Sequence, residues 1–178
     1  MPDSPLPGWQ NFYVIIGSSA AALIGIQFVV IALIANLRRQ ATASTISAFG
    51  TPTVAHLGGA LVLAAMMSAP WPSLFSTSVA VAIYGFAGLG YGMIVIGRAR
   101  RQKDYKPVLE DWLWHAMFPC SIYATLAVAS LFFLRTTHLV LFIIGAAGLG
   151  LLLIGIHNAW DTVTYLVVGN RSDSTDGF

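Results

Sequence analysis

Long runs of hydrophobic residues, separated by short polar stretches, are the main pattern along this chain. No acidic or basic residue occurs between Asp3 and Arg38, or between Arg39 and Arg98. A helix of about 20 apolar residues crosses the hydrocarbon core of a membrane, and each gap is long enough for at least one such helix. The runs are continuously apolar instead of alternating with polar positions, which disfavours strands.

The runs divide into five predicted membrane-spanning helices that form a single transmembrane domain. Residues 1–8 precede this domain, and residues 169–178 form a short tail. Pro52 is expected in the first turn of the second helix, where proline is tolerated. We therefore predict an all-α integral membrane protein, with five helices in a compact bundle. The predicted helices cover residues 9–37, 50–69, 74–97, 109–134 and 138–168.

The composition supports insertion in a lipid bilayer. Hydrophobic residues make up 57% of the chain and charged residues only 9%, whereas soluble domains carry about a quarter charged residues. Almost no chain is left for a soluble domain. The net charge of +2 does not indicate a nucleic-acid partner, because the basic residues lie at helix ends.

The basic residues also predict the orientation, because Lys and Arg accumulate in cytoplasmic loops. Assigning alternate loops to the cytoplasm places eight of the nine basic residues there and leaves only Arg135 outside. The N-terminus is then outside and the C-terminus cytoplasmic, which requires an odd number of spans. The chain looks broadly like small multi-pass proteins of bacterial inner membranes, a resemblance that carries no residue-level motif.

Small residues mark the expected contact faces, because glycine lets helix backbones approach closely in a membrane. Gly88 and Gly92 form a GxxxG motif. We expect these faces to bind neighbouring helices, copies of the same chain or other membrane subunits. The glycines concerned are Gly17, Gly25, Gly88, Gly92, Gly145 and Gly148. Five tryptophans near helix ends are interpreted as interface anchors: Trp9, Trp71, Trp112, Trp114 and Trp160.

Histidine and aspartate occupy matching positions on the fourth and fifth predicted helices. The two helices form an antiparallel hairpin through the turn 135–138. His115 and His157 are each 19 residues from the turn, and Asp111 and Asp161 are each 23 residues from it. The histidines thus lie roughly 28 Å, and the aspartates roughly 34 Å, from the outer edge. Because residues four apart share a helix face, we expect the four side chains to converge near the cytoplasmic boundary.

Three interpretations of these four side chains are open. Two of them assign the side chains a function, and the third does not. Two histidines with one or two carboxylates suit a divalent metal such as Zn, Fe or Mn. The same groups can relay protons. In the third interpretation they only reach water at the interface, since the hydrocarbon core is about 30 Å thick. Pro119 lacks the N–H that would bond the carbonyl of His115, so it is expected to widen the helix there.

His56 and Gln27 are the isolated polar side chains within the apolar runs. His56 lies roughly 20 Å from the outer end of the second helix. Both side chains should face protein, because a buried polar group without a partner is costly. One interpretation is a packing hydrogen bond between them, or from His56 to a backbone carbonyl. The other is a pair that lines a pore or contacts a substrate.

Three classes of function fit these features. The first is a homo-oligomeric channel or transporter for a small ion or proton, with a pathway along His115, Asp111, His157, Asp161, His56 and Gln27. The second is a non-catalytic accessory or scaffolding subunit of a membrane complex. The third is a membrane metalloenzyme for a lipid-like substrate, with a divalent metal as cofactor at His115, His157, Asp111 and Asp161. An enzyme is disfavoured because the chain has no phosphate-binding loop, CxxC motif or nucleophile elbow.

The alternating loops generate a direct prediction about topology. Reporter fusions after Gln40 and Lys106 should report the cytoplasm, and fusions after Pro72 and Thr137 the opposite side, because basic loops stay inside. A cytoplasmic signal after Thr137 would contradict the five-span arrangement.

Overall fold

Helices make up nearly all of the described chain in this computed structural model. The structure describes residues 5–37, 43–101 and 112–172. These ranges contain no strand, which confirms the all-α class. A 3-10 helix at Leu6–Trp9 precedes α1, and a π-helical turn at Leu113–Met117 precedes α4. The α-helices are α1 Gln10–Leu37, α2 Ala43–Ser68, α3 Leu74–Arg101, α4 Phe118–Phe132 and α5 Thr137–Ser172.

Four helical stretches are long and apolar enough to cross a membrane. They are Leu6–Leu33, Leu74–Gly97, Leu113–Phe132 and Thr137–Asp161. The corresponding apolar stretch of α2, Thr53–Ser68, is shorter. Four of the five predicted helices therefore have the length and composition of membrane spans.

Two helices extend beyond their predicted ends, into stretches that are less apolar than the rest of the helix. α2 begins at Ala43 instead of residue 50, so Pro52 lies inside the helix and not in its first turn. α5 continues to Ser172, beyond the predicted end at 168. The prediction ended helices where the apolar runs end, but a helix can continue through polar residues. Residues 109–111, the predicted start of the fourth helix, lie outside the described residues.

The central helix of the bundle is α5, which packs against α1, α2 and α4. α1 and α2 pack against each other, whereas α3 packs mainly against α4. Large apolar side chains fill the interior, including Leu57, Leu63, Leu126, Phe133, Leu141, Ile144 and Leu151. Large apolar side chains also cover the outside, including Val14, Phe28, Ile83, Phe86, Leu131 and Phe142. Such a surface suits an apolar environment on both sides of each helix.

Glycines on α3 let this helix approach α4 closely. A Cβ atom at Gly85 would lie 2.7 Å from the backbone nitrogen of Ala127, closer than van der Waals contact allows. Gly88 faces the ring of Tyr123, and Gly92 faces the sulfur of Cys120. None of the described glycines has positive φ. Their role in these helices is therefore close packing, not an unusual backbone conformation.

The other predicted glycine contacts are also made within one chain, with one exception. Gly145 faces Trp9 and Phe12, Gly148 faces Ile16, and Gly17 faces Ala64, whereas Gly25 has no neighbour within 4 Å. These contacts are made within one chain, and self-association through a glycine-rich face stays a prediction.

The α3–α4 contact predicts a difference between two alanine substitutions on one helix. Gly85→Ala should destabilise the fold by about 1–3 kcal/mol, because the added methyl group overpacks against a backbone that cannot move aside. Gly90→Ala is the matched control, since a Cβ atom there meets nothing within 4 Å. Unfolding in mixed micelles would measure both free energies. Equal stability of the two variants would contradict the packing described.

Candidate functional site

Contacts between antiparallel helices bring several polar residues to one level of the bundle. Gly17 of α1 faces Ala64 of α2, so Gln27, ten residues further along α1, is level with residue 54 of α2. Gly155 of α5 faces Leu57 of α2, so residue 158 is level with the same position. This level lies close to one end of the bundle. That end is formed by residues 158–172 of α5 and is called the tail end. The opposite end holds the turn Phe133–Thr136 and is called the turn end.

Four buried polar side chains from three helices lie at this level. Gln27 comes from α1, Thr53 and His56 from α2, and Asn158 from α5; together they form the polar layer. His56 is 2% exposed and Asn158 is 1% exposed. His56 is three residues from Thr53, less than one helical turn. Most of the buried polar side chains of the described chain are therefore concentrated in one layer of an apolar bundle.

The polar layer has hydrogen-bonding atoms that no described residue satisfies. Nε2 of Gln27 and Nδ1 of His56 are buried and have no hydrogen-bond partner among the described residues. The two side chains are buried as expected, but they do not bond each other through these atoms. Leaving a buried donor or acceptor unsatisfied costs about 1–3 kcal/mol. The layer can therefore offer hydrogen bonds to a further species.

Buried polar side chains at the turn end behave differently. Thr77 donates to the carbonyl of Ser73 at 3.2 Å, and Ser130 donates to the carbonyl of Ala127 at 2.7 Å. Each hydroxyl is satisfied by its own helix, which is the usual arrangement in apolar surroundings. These two hydroxyls are thus satisfied locally, whereas the buried hydroxyl of Tyr13, also towards this end, has no hydrogen-bond partner among the described residues.

His115 lies at the edge of the polar layer, in the π-helical turn before Pro119. The N–H of Phe118 bonds the carbonyl of Leu113, five residues back, so the expected widening is present. π-helical turns inside α-helices frequently occur at functional sites. His115 also interacts electrostatically with His56, which places the ring beside the polar layer.

His157 connects the polar layer with the tail end. Its ring stacks on Trp114 of the π-helical turn, with centroids 3.7 Å apart and planes inclined by 21°. Nε2 of His157 lies 3.0 Å from Oδ2 of Asp161. This is an ion-pair distance, but the geometry does not meet that of a hydrogen bond. The side chain of His157 is 25% exposed and that of Asp161 is 48% exposed. The pair therefore extends from the buried layer towards the surface at the tail end.

The structure brings only part of the predicted metal set together. Asp111 lies outside the described residues. Within the described ranges, no three His, Cys, Asp or Glu side chains form a group that could hold a metal ion. A metal at His115, His157, Asp111 and Asp161 therefore stays a prediction.

Two tyrosines border the polar layer on its turn-end side. The Tyr84 hydroxyl donates to the carbonyl of Gly59 at 2.7 Å, and the phenol groups of Tyr84 and Tyr123 are hydrogen-bonded to each other. A Cβ atom at Gly59 would lie 2.8 Å from the Tyr123 hydroxyl and 3.0 Å from that of Tyr84. A residue larger than glycine at position 59 would collide with both hydroxyls. The two hydroxyls therefore lie against α2, about one helical turn from His56.

Sequence reasoning missed two residues of this site. Thr53 precedes His56 by three residues, and this spacing puts both on one helix face, which is a signal that a sequence can provide. Trp114 was interpreted as an interface anchor, but its ring packs on His157. That contact depends on how α4 meets α5, which no local pattern indicates.

Comparison with protein-family models, curated proteins and solved structures finds no match for this chain. Its class is therefore defined by the fold and the site alone. It is an all-helical protein with helices long and apolar enough to span a membrane, and it contains a buried polar layer near one end.

Replacing tyrosine by phenylalanine should affect stability differently at Tyr84 and at Tyr13. Tyr84→Phe removes the hydrogen bond to Gly59 and should destabilise the fold by about 1 kcal/mol. Tyr13→Phe is the control, because the buried Tyr13 hydroxyl has no hydrogen-bond partner among the described residues. Its removal should leave stability unchanged or raise it. Unfolding free energies in mixed micelles test the pair, and a larger loss for Tyr13→Phe would refute this account.

Proposed function

We propose that this protein is a five-span membrane protein that transports a small ion or proton, and that the polar layer holds the transported species. The observation that carries the proposal is the polar layer itself. Buried polar groups in membrane helices are costly and typically mark ion or substrate pathways. Here they come from α1, α2 and α5 and share one level.

The surface of the bundle supports its insertion in a membrane. Large apolar side chains are exposed on α1, α3, α4 and α5, and lipid is the environment that such a surface fits. α2 is 26 residues long and packs against both α1 and α5, so it crosses the membrane with them as the fifth span. The distribution of Lys and Arg then places the tail end in the cytoplasm.

The unsatisfied atoms support transport over a purely structural role. The hydroxyl of Ser130, at the turn end, bonds its own helix. Gln27 and His56 each present a buried nitrogen without a described partner. The layer is also complete within one copy of the chain. A homo-oligomer is therefore not needed to build the site.

Flux measurements on the purified protein in lipid vesicles test the proposal. Gradients of H⁺, Na⁺ and K⁺ should each be applied, and at least one ion should cross faster than in protein-free vesicles. Gln27→Leu should slow that flux about tenfold, which corresponds to about 1.4 kcal/mol on the barrier. Ser18→Ala is the control on the same helix, because its exposed hydroxyl donates to the carbonyl of Val14 at 2.7 Å.

A negative result in the same flux measurements would refute the proposal. If folded wild-type protein moved none of the three ions above the protein-free rate, transport of a small ion would be wrong. Circular dichroism and gel filtration of each variant would show that a lost flux does not reflect a lost fold.

A further inference from the structure

We propose that the transported ion is a proton, that His56 binds it, and that protons reach His56 from the tail end. This inference rests on the proposed function. It adds the identity of the ion, the group that carries it and the side from which it enters.

The chemistry of the polar layer favours a proton over a metal cation. Gln27, Thr53 and Asn158 do not titrate, whereas histidine changes its charge between about pH 5 and pH 8. Alkali and alkaline-earth cations need several oxygen ligands, commonly carboxylates, and none of the four members of the layer is a carboxylate. A proton needs one basic nitrogen and no cavity.

The unpartnered nitrogen of His56 is a suitable acceptor. In the tautomer that carries its hydrogen on Nε2, the lone pair of Nδ1 is free to take up a proton. Uptake gives the imidazolium, and loss of the same proton restores the neutral ring. Buried Nδ1 has no hydrogen-bond partner among the described residues, so a bound proton displaces no existing bond there.

The groups that face His56 define the side of entry. His115 of the π-helical turn interacts with it electrostatically, and His157 of α5 lies at the same level. The α1 neighbour at this level is Gln27, which does not titrate. Exposure rises from 2% at His56 to 25% at His157 and 48% at Asp161. Titratable groups therefore lead from the exposed tail end to the buried layer.

Among the residues that the structure describes, no comparable route reaches His56 from the turn end. Tyr84 and Tyr123 meet at Gly59, one turn from His56, and the fully buried Leu63, Leu126 and Leu151 belong to the core. A proton on His56 is thus connected to the tail end and sealed from the turn end in this conformation. This one-sided access is what a transporter that alternates between two sides requires.

Proton flux in vesicles that contain a pH-sensitive dye tests the inference. His56→Gln should reduce the flux by roughly a hundredfold or more, the usual loss when a proton-transferring group is removed. His138→Gln is the matched control, because His138 is exposed at the turn end. It should retain wild-type flux. Asp161→Asn should slow the flux without abolishing it, since it removes only the outermost acceptor of the route.

The possible outcomes separate this inference from the proposed function. Flux of Na⁺ or K⁺ without H⁺, or unchanged proton flux in His56→Gln, would overturn the inference and leave small-ion transport intact. If His56→Gln does not fold, nitrogen-15 histidine spectra of the wild-type protein in nanodiscs decide. The His56 ring should gain and lose a proton as the pH of the sample is varied, and a ring in one state at every pH at which the protein stays folded would overturn the inference.

Discussion

The close approach of α2 to α5 at Gly155 determines where the polar groups of this bundle meet. A Cβ atom at Gly155 would overlap the side chain of Leu57 and lie 3.3 Å from its backbone nitrogen. A larger residue would push α2 and α5 apart, and with them His56 and Asn158. In membranes, where lipid is as apolar as the helix surfaces, such close contacts provide much of the packing energy. The contact that stabilises the fold thus also assembles the site.

The two ends of the bundle have different polar chemistry although both are built from apolar helices. At the turn end, hydroxyls such as those of Thr77 and Ser130 bond their own helix backbones. At the tail end, the side chains of Gln27 and His56 each keep a buried nitrogen without a hydrogen-bond partner among the described residues. Two buried side chains of the tail-end half therefore have unused hydrogen-bonding capacity, which lowers stability.

The sequence predicts the helices well because an apolar run of spanning length has few alternatives in any environment. It also identifies His56 and Gln27, since isolated polar residues stand out in such runs. It does not predict which helices are neighbours, because glycine indicates a close contact without naming the partner. The matching depths of His115 and His157 led to the expectation that these rings meet. The contact that the structure shows at His157 is the stacking of Trp114, which the depths do not indicate, and convergence of the two histidine rings stays a prediction.

The proposed transport of a proton from His56 to the turn end would require the helices to rearrange, and the packing indicates which contact between helices is weakest. α1, α2 and α5 pack on one another, whereas α3 packs mainly on α4 and barely touches α2. The hydrogen bond from Tyr84 to Gly59 is the polar link across that weak boundary. A neutral hydrogen bond contributes only about 1 kcal/mol to stability. Gly59 also has no side chain that could pack against the two phenol groups. Separation of α3 from α2 would therefore withdraw Tyr84 from the turn-end side of His56 at low cost, without disturbing the glycine contact between α2 and α5.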